Sequence, residues 1–376
     1  MIKWVLLLVT LLATQPACAA RSASNSAGWE DWHAFRSAFV SDEGRVVDWT
    51  HGGRTVSEAQ AYGLFFALVA NDRASFDRLL LWTERHLADG DLSRKLPAWL
   101  WGLADDGTRK VLDTNPATDA DLWLAYALIE AARLWRQPAY EAKGRALLRL
   151  VREQSVLRLD NGATLLRPAP NGFQFADRLR LNPSYLMPAQ LLRFQNLDPG
   201  GPWGAMLTQY PAMIAELTPT GRVPDWSQYH LTDRRHELDA ETGGLGSYDA
   251  IRVYLWAGMG PSSNPAARKL LALVKAYADL VAEAGRVPEK WTARSSWIEG
   301  NAPIGFDAAL LPFYAALKDQ QALQRTRERV RAAREQNLYG NPARYYDQVL
   351  VLFGKGYDDG WFRFDPAGRL VPQWKH

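Results

Sequence analysis

Cysteine is almost absent: Cys18 is the only one in 376 residues, so no disulfide framework can staple the chain. Net charge is scarce too. A formal charge of +3 gives none of the basic excess that neutralises phosphates, and no nucleic-acid partner is indicated. The apolar run Val5–Leu12 is too short to span a bilayer. No long period-two alternation competes for strand structure. The histidines His33, His51, His86, His230, His236 and His376 lack HExxH or similar spacing, so a zinc site is not expected. GxSxG, phosphate-loop and dinucleotide fingerprints are missing, and no cofactor is expected. No long Gly/Ser linker divides the chain, which points to one domain over residues 20–376.

Residues 1–19 read as a secretory signal. Lys3 supplies the positive start, Val5–Leu12 the apolar stretch, and Ala17, Cys18 and Ala19 a small-residue cleavage site. A lipid-anchored reading of Cys18 is weaker, because Gln15, Pro16 and Ala17 lack the expected aliphatic residue. Export without disulfides suits a periplasmic or secreted bacterial protein with no stable membrane anchor.

What the chain has is helix. Twelve helical patterns run roughly over 29–40, 57–71, 73–88, 118–135, 138–154, 184–196, 201–217, 247–259, 264–284, 303–319, 321–336 and 342–354. Thr164–Leu166 and Trp361–Phe364 are minor strand candidates. The even-numbered helices are nearly uncharged, as in Leu122–Leu128 and Ala308–Ala316, whereas their partners are amphipathic. Six buried helices alternating with six half-exposed ones predict an all-α (α/α)6 barrel. A solenoid is the alternative, but the units share no sequence period.

The stretch Val56–Asn71 is the most telling. Between Arg54 and Asp72 its only charge is Glu58, in the first turn of an otherwise apolar helix. Ser57 followed by Gln60 reads as a capping box. Ser57, Thr118, Ser184 and Ser247 are each expected to cap an inner helix, followed closely by Glu58, Asp119, Tyr185 and Asp249. Parallel inner helices would bring these four to one end of the barrel. A structural ion pair for Glu58 is the plain alternative. Trp49, Trp99, Trp101, Trp226, Trp291 and Trp297 lie in loops leading to inner helices, whereas Trp82, Trp123 and Trp135 read as core.

Two carboxylates across a groove are the minimum for glycoside hydrolysis: one protonates the leaving oxygen, the other activates water or attacks carbon. Flat aromatic faces suit pyranose rings, so the loop tryptophans suggest a sugar groove. An acid at Glu58 must keep its proton near neutrality. A helix N-terminus alone opposes that, while burial and a neighbouring anion favour it, with Asp119 or Asp121 as the candidate anion. Asp119 with Asp121 also resembles a metal-binding pair, but Thr118 with Asp121 reads better as a cap.

ATDADLWLAYALIEAARLW (117–135) resembles the signature of glycoside hydrolase family 8, with Leu124 where Ile or Met is usual. TVSEAQAYGLFFALVANDR (55–73) is similar to the family's SEGQ landmark, with Ala59 replacing Gly. PAWLWG (97–102), NPSYLMP (182–188) and GSYDAIRVYLWAGM (246–259) extend the likeness over most of the chain, closest to the members encoded with bacterial cellulose synthases. The resemblance implies an (α/α)6 barrel and an inverting endo-hydrolase of β-1,4-glucan (cellulose), with a functional link to a cellulose synthase complex.

By motif match, the resemblance implies Glu58 as proton donor and Asp249 as general base. It implies Asp119 as the Asp that touches the sugar at the cleavage point, labelled the nucleophile in some accounts of the family. Tyr185 would position water, and Arg252 would keep Asp249 ionised. Trp49, Trp99, Trp101, Trp226 and Tyr248 are the expected sugar contacts. Chitosan, xylan or mixed-linkage glucan are alternative substrates. A non-catalytic glycan-binding barrel is the alternative of another kind, though binding alone does not need three converging carboxylates.

Overall fold

The computed structural model describes Met1 and residues 28–375. The proposed signal segment and Cys18 lie outside the described residues. Among those residues the helices are α1 (Glu30–Phe39), α2 (Ser57–Val69), α3 (Arg73–Leu87), α4 (Thr118–Trp135), α5 (Pro138–Ser155), α6 (Pro188–Leu197), α7 (Trp203–Leu217), α8 (Ile251–Met259), α9 (Pro265–Val274), α10 (Ala276–Ala284), α11 (Ile304–Ala309), α12 (Leu311–Leu317), α13 (Gln320–Ala332) and α14 (Tyr345–Asp358). They form the double ring of an (α/α)6 barrel. The inner ring is α2, α4, α6, α8, the α11–α12 pair and α14; the remaining helices pack outside it. Two of the twelve expected helices are divided. The pattern over 264–284 breaks at Lys275, and that over 303–319 breaks at Leu310, just before Pro312. Pro312 has no N–H to offer the preceding turn.

The inner ring is filled, not hollow. Phe65 and Phe66 of α2 meet Trp123 of α4 and Phe353 of α14 at ring-centroid distances of 4.9 Å (Phe65 to Trp123) and 4.6 Å (Phe66 to Phe353). Trp256 of α8 joins them, 5.5 Å from Trp123 and 5.2 Å from Phe353. Each such aromatic pair adds roughly 0.5–1.5 kcal/mol beyond its burial. Two pairs of inner helices approach backbone to backbone, α14 with α11 and α8 with α12. A Cβ on Gly354 of α14 would sit 1.8 Å from the Ala308 carbonyl oxygen, and one on Gly258 of α8 would sit 2.3 Å from the Phe313 nitrogen. Only glycine permits either approach.

The C-terminal segment closes one end. Strands Phe362–Phe364 and Leu370–Pro372 pair as a hairpin, and Phe362 packs 5.2 Å from Phe65. The Trp374 indole N–H donates to the Val69 carbonyl at 3.1 Å, satisfying a free acceptor at the end of α2. Glu130 of α4, fully buried, anchors this closure. Its Oε1 takes the Arg193 Nε at 2.6 Å, and its Oε2 accepts from the Leu370 amide at 2.9 Å and pairs with Arg133.

The opposite end carries the N-termini of the inner helices and short sheets that no sequence pattern announced. Thr55–Val56 pairs with Leu100–Leu103, which pairs with Arg109–Asp113. Arg178–Leu181, Ser227–His230 and Arg235–Leu238 form a second sheet, and Leu245–Gly246, Lys290–Thr292 and Ile298–Glu299 a third. These strands have two to four or five residues, too few for an alternation to register. The minor strands expected at 164–166 and in 361–364 are present.

The expected caps are not. Ser57 and Thr118 are the first helical residues of α2 and α4 and make no capping bond. Ser184 sits in a short 3-10 turn (Pro183–Tyr185) ahead of α6, and Ser247 lies in the turn before α8. Gln60 is no capping-box partner. Its amide is buried, accepting from the Val46 N–H at 2.7 Å and donating to Gly44 O and Thr83 Oγ1, which ties the loop before α2 to α3.

Removing the Glu130 carboxylate leaves buried arginine charge unpaired and frees the C-terminal hairpin. Glu130→Ala is expected to lower the unfolding free energy in urea by about 3–5 kcal/mol. A loss below about 1 kcal/mol, the range of a surface pair, would remove Glu130 from this role.

Candidate active site

Glu58 and Asp119 are each the second residue of an inner helix, α2 and α4. Tyr185 closes the 3-10 turn that precedes α6, and Asp249 lies in the turn that precedes α8 rather than on its face. The entry of α2 is pinned because its Ser57 N–H donates to the Trp99 carbonyl at 2.9 Å, across the sheet pairing. Glu58 and Asp249 line a cavity of about 580 Å³ at the open end, together with Tyr62, Trp99, Tyr248, Arg252 and neighbours from the start of α14; Asp119, buried against Arg252, and Tyr185 lie outside that lining.

Arg252 is the hub. It is almost fully buried, and its Nη2 reaches Ser184 Oγ at 2.7 Å, Asp249 Oδ1 at 2.8 Å and Asp119 Oδ2 at 3.5 Å. Its Nη1 donates to Tyr346 Oη at 3.3 Å, and that hydroxyl donates to the Tyr248 carbonyl at 2.8 Å. One cation thus joins the starts of four inner elements.

Burial, and then the charge of Asp119, push the Glu58 carboxyl up to about 8; Asp249 adds to this, and Arg252 and a backbone hydrogen bond oppose it. Asp119 is raised to about 6 by burial, with Arg252 holding it down and Asp249 pushing it up. Near pH 7 Glu58 therefore holds its proton beside an ionised Asp119. Asp119, not Asp121, is the anion that supports that proton. Asp121 caps nothing: its carboxyl is buried without a hydrogen-bond partner and is pushed well up by burial, then by Asp119 and Glu58. Burial raises the Tyr185 phenol as well, with Asp119, Glu58 and Asp249 all contributing. A neutral carboxylic acid and a carboxylate paired to arginine, both facing one cavity, can deliver one proton and accept another.

The aromatic residues divide. Trp99 and Tyr248 line the cavity. Trp49 stands at its rim, 61% exposed and held by its indole N–H on the Ala38 carbonyl at 3.1 Å, next to the cavity-lining Thr50 and His51. Trp101 is instead buried outside the groove, 5.4 Å from Trp82, with the Arg45 guanidinium over its ring. Two residues apart, the pair would share a face of a regular strand; the register irregularity between Leu100 and Trp101 breaks that relation and turns Trp101 onto Trp82 of α3. Trp226 stacks on Phe173 at 5.8 Å with Arg180 over its ring, away from the cavity lining. Trp291 is fully buried against Tyr254 and Tyr277, while Trp297 is exposed.

Sequence reasoning missed Tyr346 and Asp225. Tyr346 lies in the first turn of α14, one of the two inner-helix starts, with that of α11, at which no polar residue was singled out. Asp225 directly precedes Trp226 in a loop with no pattern of its own. Its Oδ1 accepts backbone N–H bonds from the turn that carries Asp249.

The profile of glycosyl hydrolases family 8 matches residues 7–360 of the chain. An endoglucanase of Escherichia coli is 40% identical over 98% of this chain and 95% of its own length. One of Xanthomonas axonopodis is 40% identical over 98% of this chain and 95% of its own. Among solved structures, an endo-1,4-D-glucanase from Vibrio fischeri superposes with a TM-score of 0.86 at 35% identity, covering 93% of this chain and 100% of that one.

Because the Asp119 charge helps hold the Glu58 proton, Asp119→Asn lowers the pH at which that proton leaves. The alkaline limb of the kcat/KM profile is expected to move down by roughly one pH unit, whatever happens to the maximal rate. An unmoved limb, or one moved upward, would separate Asp119 from the protonation of Glu58.

Proposed function

The chain belongs to glycosyl hydrolases family 8, and from that premise we propose that it is an inverting endo-β-1,4-glucanase whose acid is Glu58 and whose base is Asp249. The observation that carries the reading is the pairing of opposites in one cavity: a carboxyl kept protonated to about pH 8 and a carboxylate held 2.8 Å from a buried guanidinium.

A glucan chain lies along the cavity with a sugar face on Trp99 and a neighbouring ring near Tyr248. Glu58 protonates the oxygen of the bond being broken. Asp249 takes a proton from a water that attacks the anomeric carbon from the opposite face. After one turnover Glu58 is ionised and Asp249 protonated, and exchange with solvent restores both. Arg252 keeps Asp249 an acceptor, Tyr185 orients the water, and Asp119 holds the sugar at the cleavage point while its charge sustains the Glu58 proton. Inversion leaves no covalent intermediate for Asp119 to form.

Export through residues 1–19 into the periplasm, and action on chains leaving a cellulose synthase, belong to the same reading. The organisation of the N-terminal segment and the likeness to members encoded with such synthases support them.

Reducing ends released from carboxymethylcellulose, chitosan and xylan test the function, with wild type and Glu58→Gln assayed together. The expected result is strong release from carboxymethylcellulose, falling by about 10³-fold or more in Glu58→Gln, whose amide cannot donate a carboxyl proton. Preference for chitosan or xylan would change the substrate but not the chemistry. Binding without release from any polymer would favour a glycan-binding barrel instead.

A further inference from the structure

Asp225 sits in the loop between α7 and the strand Ser227–His230. Its Oδ1 accepts three backbone N–H bonds, from Ala250 at 2.7 Å, Ser247 at 2.8 Å and Asp249 at 3.1 Å. Its own N–H donates to the Leu245 carbonyl at 2.8 Å, so the acceptor is itself fixed to the strand that feeds this turn. Helix α8 has no side-chain cap of its own, and Asp225 takes that place from a loop more than twenty residues earlier in the chain.

The turn 247–250 is held on its other sides too. Ser247 Oγ donates to the Glu289 carbonyl at 2.7 Å, and Tyr346 Oη donates to the Tyr248 carbonyl at 2.8 Å. Asp249 is therefore gripped at both ends: its backbone by Asp225, its carboxylate by Arg252. The grip opposes local electrostatics. Burial, and then the neighbouring Asp249 charge, raise the Asp225 carboxyl to about 7 despite its N–H bonds and Arg252.

Resting on the reading of Asp249 as the base, we propose that Asp225 is a positioning residue for the hydrolysis: its Oδ1, by collecting the N–H groups of Ser247, Asp249 and Ala250, sets the height and direction of the Asp249 carboxylate over the attacking water. A base displaced by about 1 Å loses on the order of 100-fold in rate while leaving the sugar contact of Trp99, on a separate element, intact. The effect belongs in kcat, not KM.

The test is steady-state hydrolysis of carboxymethylcellulose by the folded enzyme and by Asp225→Ala, Asp225→Asn and Asp249→Asn, with circular dichroism on each. Asp225→Ala is expected to lose roughly 30–100-fold in kcat with KM within about twofold. Asp225→Asn, whose side-chain oxygen still accepts the three N–H bonds, is expected to recover to within about fivefold of wild type. If Asp225→Ala does not fold, Asp225→Glu, which keeps the acceptor but displaces it, replaces it with the same expectation. A folded Asp225→Ala with wild-type kcat overturns the proposal, as does an Asp225→Asn as impaired as the alanine variant. Asp249→Asn separates the two levels. If it is inactive while Asp225→Ala is unaffected, only the positioning role falls. If it retains turnover, the base assignment falls and the positioning role with it.

Discussion

A guanidinium buried among carboxyl groups is the constraint on which the open end of this barrel depends. Arg252 cannot shed its charge, so burying it demands partners, and the partners come from separate elements: Asp119 from α4, Ser184 from the turn before α6, Asp249 from the turn before α8 and Tyr346 from α14. One cation cannot neutralise every carboxyl around it. Asp249 receives the short contact, Asp119 a longer one, and Glu58 no direct contact among the described residues. The division of labour between acid and base follows from that unequal sharing. The best-paired carboxyl is free to accept a proton, and the one that arginine does not reach keeps its own.

The apolar architecture makes the sharing unequal. The inner ring is packed with aromatic side chains up to the level of Tyr62, which lies 5.8 Å from Trp123. The C-terminal hairpin seals the far end over Phe65 and Glu130. Water therefore meets the inner helices only at their N-terminal ends. Glu58 stands one residue into α2, where the helix dipole favours its ionised form, yet desolvation and the Asp119 charge outweigh that preference. The short sheets above the ring do the positioning. The pairing of Thr55–Val56 with Leu100–Leu103 brings Trp99 beside the start of α2, and the third sheet leads Gly246 directly into the turn that carries Asp249.

Much of this was legible in the chain itself. The alternation of uncharged with amphipathic helices specifies a double ring, because only two concentric layers need both kinds. Glu58, alone in an apolar stretch, announces a carboxyl under stress, and Asp119, Tyr185 and Asp249 stand at corresponding points of the pattern. What local pattern could not supply were interactions made across the fold. The cap read for Ser247 yields to tertiary partners: Ser247 Oγ bonds the Glu289 carbonyl, and Asp225 supplies the missing cap of α8. Trp101 and Trp291 looked like Trp99 in sequence, but the strand irregularity at Leu100–Trp101 turns Trp101 onto α3, and the packing of Trp291 on Tyr254 and Tyr277 makes it core; neither is marked locally in the chain. Lys275 and Pro312 divide helices whose hydrophobic pattern runs through unbroken.

The most direct test of the whole account is the ionisation of Glu58 itself. A carbon-13 NMR titration of glutamate side-chain carboxyls in the intact protein, with Glu58→Gln used to assign the signal, reads it without any substrate. The account predicts a midpoint near 8, because the carboxyl is desolvated at the base of the cavity and faces the Asp119 charge. A midpoint about that of a free glutamate would contradict it. Glu58 would then be ionised at neutral pH, and the division of roles around Arg252 would have to be drawn differently.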